Sequence, residues 1–294
     1  MKSSPECVRC FINDLYGAIE SLGLDEEISK EIIEEGLKFL SQNINRWELP
    51  SFYITELHRI LKRLAKIPFP FEELRKKTNE ICLEILKDIE REMAFLSDEE
   101  RIKLSIKWAI AGNHLDFRTV GRGYKDVKDL KEELMKEVEG KIHVDDTEKF
   151  LKFSFSKVLY IHDNVGEIVL DIPFIRELDR KGAKVFSALR KGPITSDATV
   201  EDGKAVGIDK YAEIVGAGPD TLGISWKEMT PQMRMLINDV DLIISKGQAN
   251  YYVLISHKES IKPPVFFLLK TKCSFISKDF GYNQKSINVA KFAF

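Results

Sequence analysis

Lys157-Val158-Leu159-Tyr160-Ile161-His162-Asp163-Asn164-Val165-Gly166-Glu167 joins a short apolar run to an acid, an amide and a glycine. Its first five residues, rich in β-branched and aromatic side chains, read as a strand, and Ile168 to Arg180 continues at helical spacing. The same grammar recurs downstream. Further strands are expected at Lys184–Ala188, Glu213–Val215, Leu242–Ser245, Val265–Leu269 and Ala290–Phe294, with helices at Trp226–Asn238 and Ala249–Ile255. Short apolar runs alternating with helices describe an α/β fold around a largely parallel sheet.

Upstream the periodicity is helical throughout. Met1–Leu22, Asp25–Asn43, Phe52–Ala65, Phe71–Leu96 and Asp98–Ala111 each place apolar residues on one side, and Pro50, Pro68 and Pro70 read as breaks. The expected organisation is a helical domain over residues 1–111, connecting loop and helices over 112–156, and an α/β domain over 157–294. The connecting segment holds a polar loop with Gly121 and Gly123, then a charged helix.

Composition narrows the function classes. Hydrophobic residues make up 44% and charged residues 31%, and the net charge is −2. Basic and acidic residues alternate along Lys125–Glu139, which describes a solvated helix face, so nucleic acid is not an expected partner. The sequence contains neither a long apolar span nor an apolar core near Met1, and a cytoplasmic protein without membrane contact is expected. Four cysteines are too few for a disulfide scaffold. The Cys7/Cys10 pair lacks a second pair to complete a zinc site and reads as packing.

Ligands of an open parallel sheet bind beyond the carboxyl ends of its strands. Four such places carry polar residues. After Ile161 come Asp163 and Asn164, hard oxygen donors suited to Mg²⁺ or Mn²⁺, although an Asx turn capping the next helix fits equally. After Ala188 come Lys191, placed to reach a phosphate oxygen, and Asp197, placed to complete a metal site. After Ser245 come Lys246, Gly247 and Asn250, where a helix start makes an anion seat. Gly216-Ala217-Gly218 follows a fourth strand. Asn113 and Asp116, at the end of a helix, either meet a substrate or terminate the helix.

Together, Gly112-Asn113 with Asp116, Asp163-Asn164 with Gly166-Glu167 and Asp171, Lys191-Gly192-Pro193 with Asp197, and Lys246-Gly247 with Asn250 resemble the damage-control phosphatase family. That family was long catalogued as a domain of unknown function, and Cys7-Val8-Arg9-Cys10 matches its archaeal-type branch. The resemblance implies a three-layer α/β/α Rossmann-like sandwich carrying an amino-terminal helical bundle. It also implies one divalent metal, Mg²⁺, Mn²⁺, Co²⁺ or Ni²⁺, held by Asp163, Asn164 and Asp197, and hydrolysis of sugar phosphates or related small phosphate esters. On this reading Lys191 and Lys246 neutralise charge on the transferred group, and Asn113, Asp116, Glu167, Gly247 and Asn250 contact substrate. Two nucleophiles fit, water and Asp163 itself, and water is favoured. The alternatives are a carboxyl methyltransferase using S-adenosylmethionine and a metal-dependent sugar-phosphate-binding module without turnover.

Overall fold

The structure, a computed structural model, describes residues 2–115 and 127–294. Five long helices come first: α1 (Pro5–Leu22), α2 (Glu26–Asn43), α3 (Pro50–Ala65), α4 (Glu72–Met93) and α5 (Asp98–Gly112). Local chemistry sets their ends. The Asp25 carboxylate accepts from the Ile28 N–H, and Ser97 with Glu100 forms a capping box that opens α5. Pro50 occupies the first turn of α3, where its missing N–H is harmless, so it starts this helix instead of interrupting it.

After α6 (Val127–Glu139), β1 (Ile142–Asp145) and α7 (Thr147–Lys152), strands and helices alternate as β2 (Lys157–Ile161), α8 (Glu167–Arg180), β3 (Lys184–Leu189), α9 (Val200–Ala205), β4 (Glu213–Gly216), α10 (Pro231–Leu236), β5 (Leu242–Lys246), α11 (Gln248–Ser256), β6 (Val265–Lys270), α12 (Ser274–Ser277) and β7 (Asn288–Ala293). One sheet results, in the order β1-β7-β6-β5-β2-β3-β4. β6, β5, β2, β3 and β4 are parallel, whereas β7 returns antiparallel to β6 with β1 parallel beside it.

Strand residues alternate between two covered faces. Val158 and Tyr160 of β2 meet the side packed by α4, α5 and α8, while Leu159 and Ile161 meet the side packed by α10 and α11. These are the three layers of an α/β/α sandwich. The first of the two clusters also takes in Phe11, Ile32, Tyr53 and Leu57 from α1, α2 and α3. One core therefore runs unbroken across residue 111, and α4 and α5 serve as the outer layer of the sheet as well as part of the helical bundle.

Two expectations change. The helix expected over Trp226–Asn238 is confined to Pro231–Leu236, because Pro231 disfavours helical backbone at Thr230, which caps the helix instead. The connecting segment contains a strand, β1, that alternation did not reveal. Gly121, Gly123 and Lys125 lie outside the described residues.

From β2 the chain steps out to β3 and β4, then crosses back over β2 to β5 and β6. Strand order thus reverses between β2 and β5. At such a reversal the connections leave the two strands towards opposite faces of the sheet, and the crevice at their carboxyl ends is where open α/β sheets bind ligands.

Candidate active site

Asp163 and Asn164 leave β2 directly into this crevice, and both are nearly enclosed. Asp163 Oδ2 accepts from Nδ2 of Asn113 and from Nδ2 of Asn164, each at 2.9 Å. The turn that follows needs Gly166. Its φ is +73°, a Cβ there would meet Thr78 Cγ2 at 2.6 Å, and its N–H donates to Asn79 Oδ1 of α4 at 2.6 Å. Across the crevice, after β5, a Cβ on Gly247 would fall 2.0 Å from Asp163 Oδ2, and the backbone there has φ +76° and ψ 158°.

The loop after β3 brings Asp197 alongside. Asn164 and Asp197 form an isolated antiparallel bridge, and the Ala198 N–H donates to the Asp163 carbonyl at 2.8 Å. Ser196 Oγ donates to Asn164 Oδ1 at 2.6 Å. The Asp197 carboxylate accepts from Arg190 Nη2 and the Gly223 N–H, each at 2.7 Å, and from Thr195 Oγ1 at 2.8 Å. Arg75 of α4 holds the same loop from outside, donating to the carbonyls of Thr195 and Asp197 at 2.7 and 2.9 Å and pairing with Asp202.

Beneath Asp163 lies a closed ionic network. Glu167, at the start of α8, accepts from Asn113 and Asn164 and pairs with Lys246 at 2.5 Å. Lys246 also pairs with Asp171 at 2.8 Å, and Asp171 accepts from Tyr160 Oη at 2.8 Å and from His162 Nδ1 at 2.9 Å. Despite burial, Lys246 is held above its ordinary value by Asp171 and Glu167. Against the same burial, Lys246 and His162 keep Asp171 below the usual carboxylate range. His162 itself is pushed down by burial, with Asp171 opposing. Asp163 differs from its neighbours: burial, reinforced by Glu167 and Asp197, pushes its carboxyl up to about 7.

Residues 3–287 match the damage-control phosphatase ARMT1-like domain. The chain belongs to this family. Among its relatives, a damage-control phosphatase of Archaeoglobus fulgidus is 30% identical over 285 residues, which are 96% of each chain. Damage-control phosphatase PH1575 of Pyrococcus horikoshii is 30% identical over 282 residues, 95% of this chain and 94% of that one. The crystal structure of a DUF89 family protein from Pyrococcus horikoshii superposes with a TM-score of 0.87 at 29% identity, covering 99% of this chain and 98% of the other. Both the family and the three-layer fold implied by the sequence are thereby met.

Within this family fold, the residues singled out from sequence fall into three groups. Asp163, Asn164, Asp197, Asn113, Glu167 and Gly247 come together at the crevice; Asn113 also ties it to β6, its Oδ1 accepting from the Lys270 N–H at 3.0 Å. Asp116 lies outside the described residues. Lys191, Lys246 and Asn250 are corrected. Lys191 is exposed and its alkyl chain lies over Gly216, because its strand-end neighbour Arg190 takes the inward position. Lys246 is fully enclosed by two carboxylates, so no anion seat forms around it. Asn250 spends both amide hydrogens on the carbonyls of His162 and Lys246, which makes it a brace between β2 and α11.

Sequence reading passed over Arg190, Arg75 and Lys272. Arg190 directly follows β3 beside Lys191, and which of the two turns inward depends on a single step of the chain that only the structure settles. Arg75 had no local signal, since its partners lie more than a hundred residues away. Lys272, just past β6, lines the cleft at Asp163 and opposes the upward push on that carboxyl.

The crevice opens into a cleft of about 660 Å³ that reaches Cys7, Tyr252 and Phe275. A separate cavity of about 630 Å³, between Trp47, Arg59 and Trp226, contains none of the crevice residues. Gly218 and Asp220 are also engaged structurally: Asp220 pairs with Arg59 and Lys62 of α3 and so clamps the helical bundle to the loop after β4.

At Gly247, substitution by Ala is expected to destabilise the protein by about 2 to 3 kcal/mol, through strain at this backbone conformation and collision with Asp163. Thermal melting and turnover measured together check this. Wild-type values for both would show that the close approach of the two loops is dispensable.

Proposed function

We propose that this chain is a divalent-cation-dependent phosphatase acting on phosphate monoesters of small metabolites. The observation that carries the reading is the convergence of Asp163, Asn164 and Asp197, from two separate loops, at the carboxyl edge of the sheet. Two carboxylates and an amide form a hard oxygen set, suited to Mg²⁺ or Mn²⁺ in preference to the nitrogen and sulfur sets favoured by zinc. Burial, reinforced by the charges of Glu167 and Asp197, pushes Asp163 up to about 7, and a bound cation would offset that push. The names of the Archaeoglobus and Pyrococcus relatives, both damage-control phosphatases, support the phosphatase reading.

When bound, such a cation supplies Lewis-acid polarisation of a phosphoryl oxygen and neutralises charge developing there. The chain's own residues then have separate tasks. Asn113 and Asn164 orient Asp163 through its Oδ2. Arg190 and Thr195 fix Asp197, and Lys246 pairs with Glu167, which in turn accepts from Asn113. Lys272, at the cleft wall, is the cation placed to meet an incoming phosphate. Water is the attacking group in this reading, with Asp163, oriented by the amides of Asn113 and Asn164, serving as a ligand of the cation.

Phosphate release from para-nitrophenyl phosphate tests the proposal. Chelator-treated protein is expected to turn over at least about tenfold more slowly than protein supplied with Mn²⁺ or Co²⁺. Equal rates with and without chelator would remove the cation from the reading, and no release under any condition would remove the phosphatase.

A further inference from the structure

The cleft leading away from Asp163 and Asn164 has a volume of about 660 Å³, large enough to enclose most of a small ligand. Its wall beyond those two residues is mainly apolar, built by Pro50, Ile54, Leu222, Tyr252, Phe275 and Ile276. Three thiols, from Cys7, Cys10 and Cys273, continue the same wall. Free thiols pack as small hydrophobes, and burial pushes both Cys10 and Cys273 up, in favour of the neutral thiol.

Polar side chains along the cleft are largely turned to protein partners. His58 Nε2 bonds to Asp14 at 2.7 Å, and Tyr16 Oη donates to Glu20 at 2.9 Å. Gln248 accepts from the Lys272 N–H at 2.9 Å and donates to Cys273 Sγ at 3.8 Å. A leaving group with many hydroxyls would desolvate them against this wall and leave them unpaired, which is costly. An apolar body would gain from the same burial.

We propose that the leaving group of the substrate is an apolar body, aliphatic or aromatic, lying along Pro50, Ile54, Leu222 and Phe275, and not a bare sugar. This rests on the phosphatase reading and names the substrate class of that same site. The cleft is continuous with Asp163 and Asn164, so a phosphate held at the crevice places its ester chain against this wall.

The test compares n-hexyl phosphate with glucose 6-phosphate, which carry equal numbers of carbons, using the full chain with Mn²⁺. The expected kcat/KM is at least about tenfold higher for the hexyl ester. Phe275→Ala is expected to shrink that preference by about fivefold, whereas Phe275→Leu, which keeps the apolar bulk, retains most of it. Equal or better turnover of glucose 6-phosphate, or a preference unmoved by Phe275→Ala, overturns the inference and leaves the phosphatase reading standing. If neither ester nor para-nitrophenyl phosphate releases phosphate, the phosphatase reading falls. Calorimetric binding of n-hexyl phosphonate against glycerol 3-phosphate then tests the wall alone. Tighter binding of the phosphonate supports an apolar ligand, and equal or weaker binding overturns it.

Discussion

Asp163→Asn is expected to lower kcat/KM for para-nitrophenyl phosphate by at least about a thousandfold and, in chelator-treated protein at pH 8, to raise the melting temperature. Both effects have one origin. Asp163 is held at about 7 in the folded chain, against roughly 3.9 when unfolded. Below the unfolded value the group is protonated in both states and stability is unaffected. As pH rises from there to about 7 the unfolded chain releases its proton first, so folding loses stability across that window, and the full penalty persists above it. An amide carries no such penalty. The gain at pH 8 is about 2 to 4 kcal/mol, or several degrees, and at pH 5 it is smaller. Adding Mn²⁺ should reverse the order, raising the melting temperature of the parent and leaving the variant unmoved. A variant that melts below its parent at pH 8 without metal would show that Asp163 is not the burdened carboxylate described here.

Lys246→Met is the second large effect, and it acts on stability first. The ammonium is fully enclosed between Glu167 and Asp171, themselves fully enclosed. Removing one member of a buried pair leaves uncompensated charge and costs about 3 to 5 kcal/mol, a fall of roughly 8 °C in melting temperature. Because Asp171 is held low, its contribution is present above the unfolded carboxylate value and is lost as pH falls towards acid. Lys246 is held high, so its own contribution is present at neutral pH and is lost at strongly alkaline pH. The difference between parent and variant is therefore widest around neutrality. Combining Lys246→Met with Asp171→Asn should recover part of the loss. A single variant melting within about 2 °C of its parent would mean that the network contributes little to the fold.

Strands and helices of the α/β half were legible because each is a local pattern: β2 was read with its observed bounds, and β3, β5 and β6 each extend one residue further. β1 was not, since four residues with no fully buried side chain leave no alternation to detect. At the site, Asp163 and Asn164 could be singled out because oxygen donors just past an apolar strand stand at the ligand-binding edge whatever lies elsewhere, and Asp197 because it sits in the loop that leaves the next strand at the same edge. The choice between Lys191 and Arg190 could not, because a single step along the chain turns the side chain to the opposite face.

What the amino-acid order determined by itself was the succession of elements, the family, and the short list of oxygen donors at strand ends. What only the tertiary structure decided was partnership. Lys246 was drawn into an internal ion network, Asn250 into a brace, Arg75 onto a loop more than a hundred residues away, and three thiols onto the wall of one cleft. The reason is physical: secondary structure follows from neighbours along the chain, but the charge, burial and hydrogen bonds of a site depend on neighbours in space, which strand order and the packing of helices on the sheet bring together.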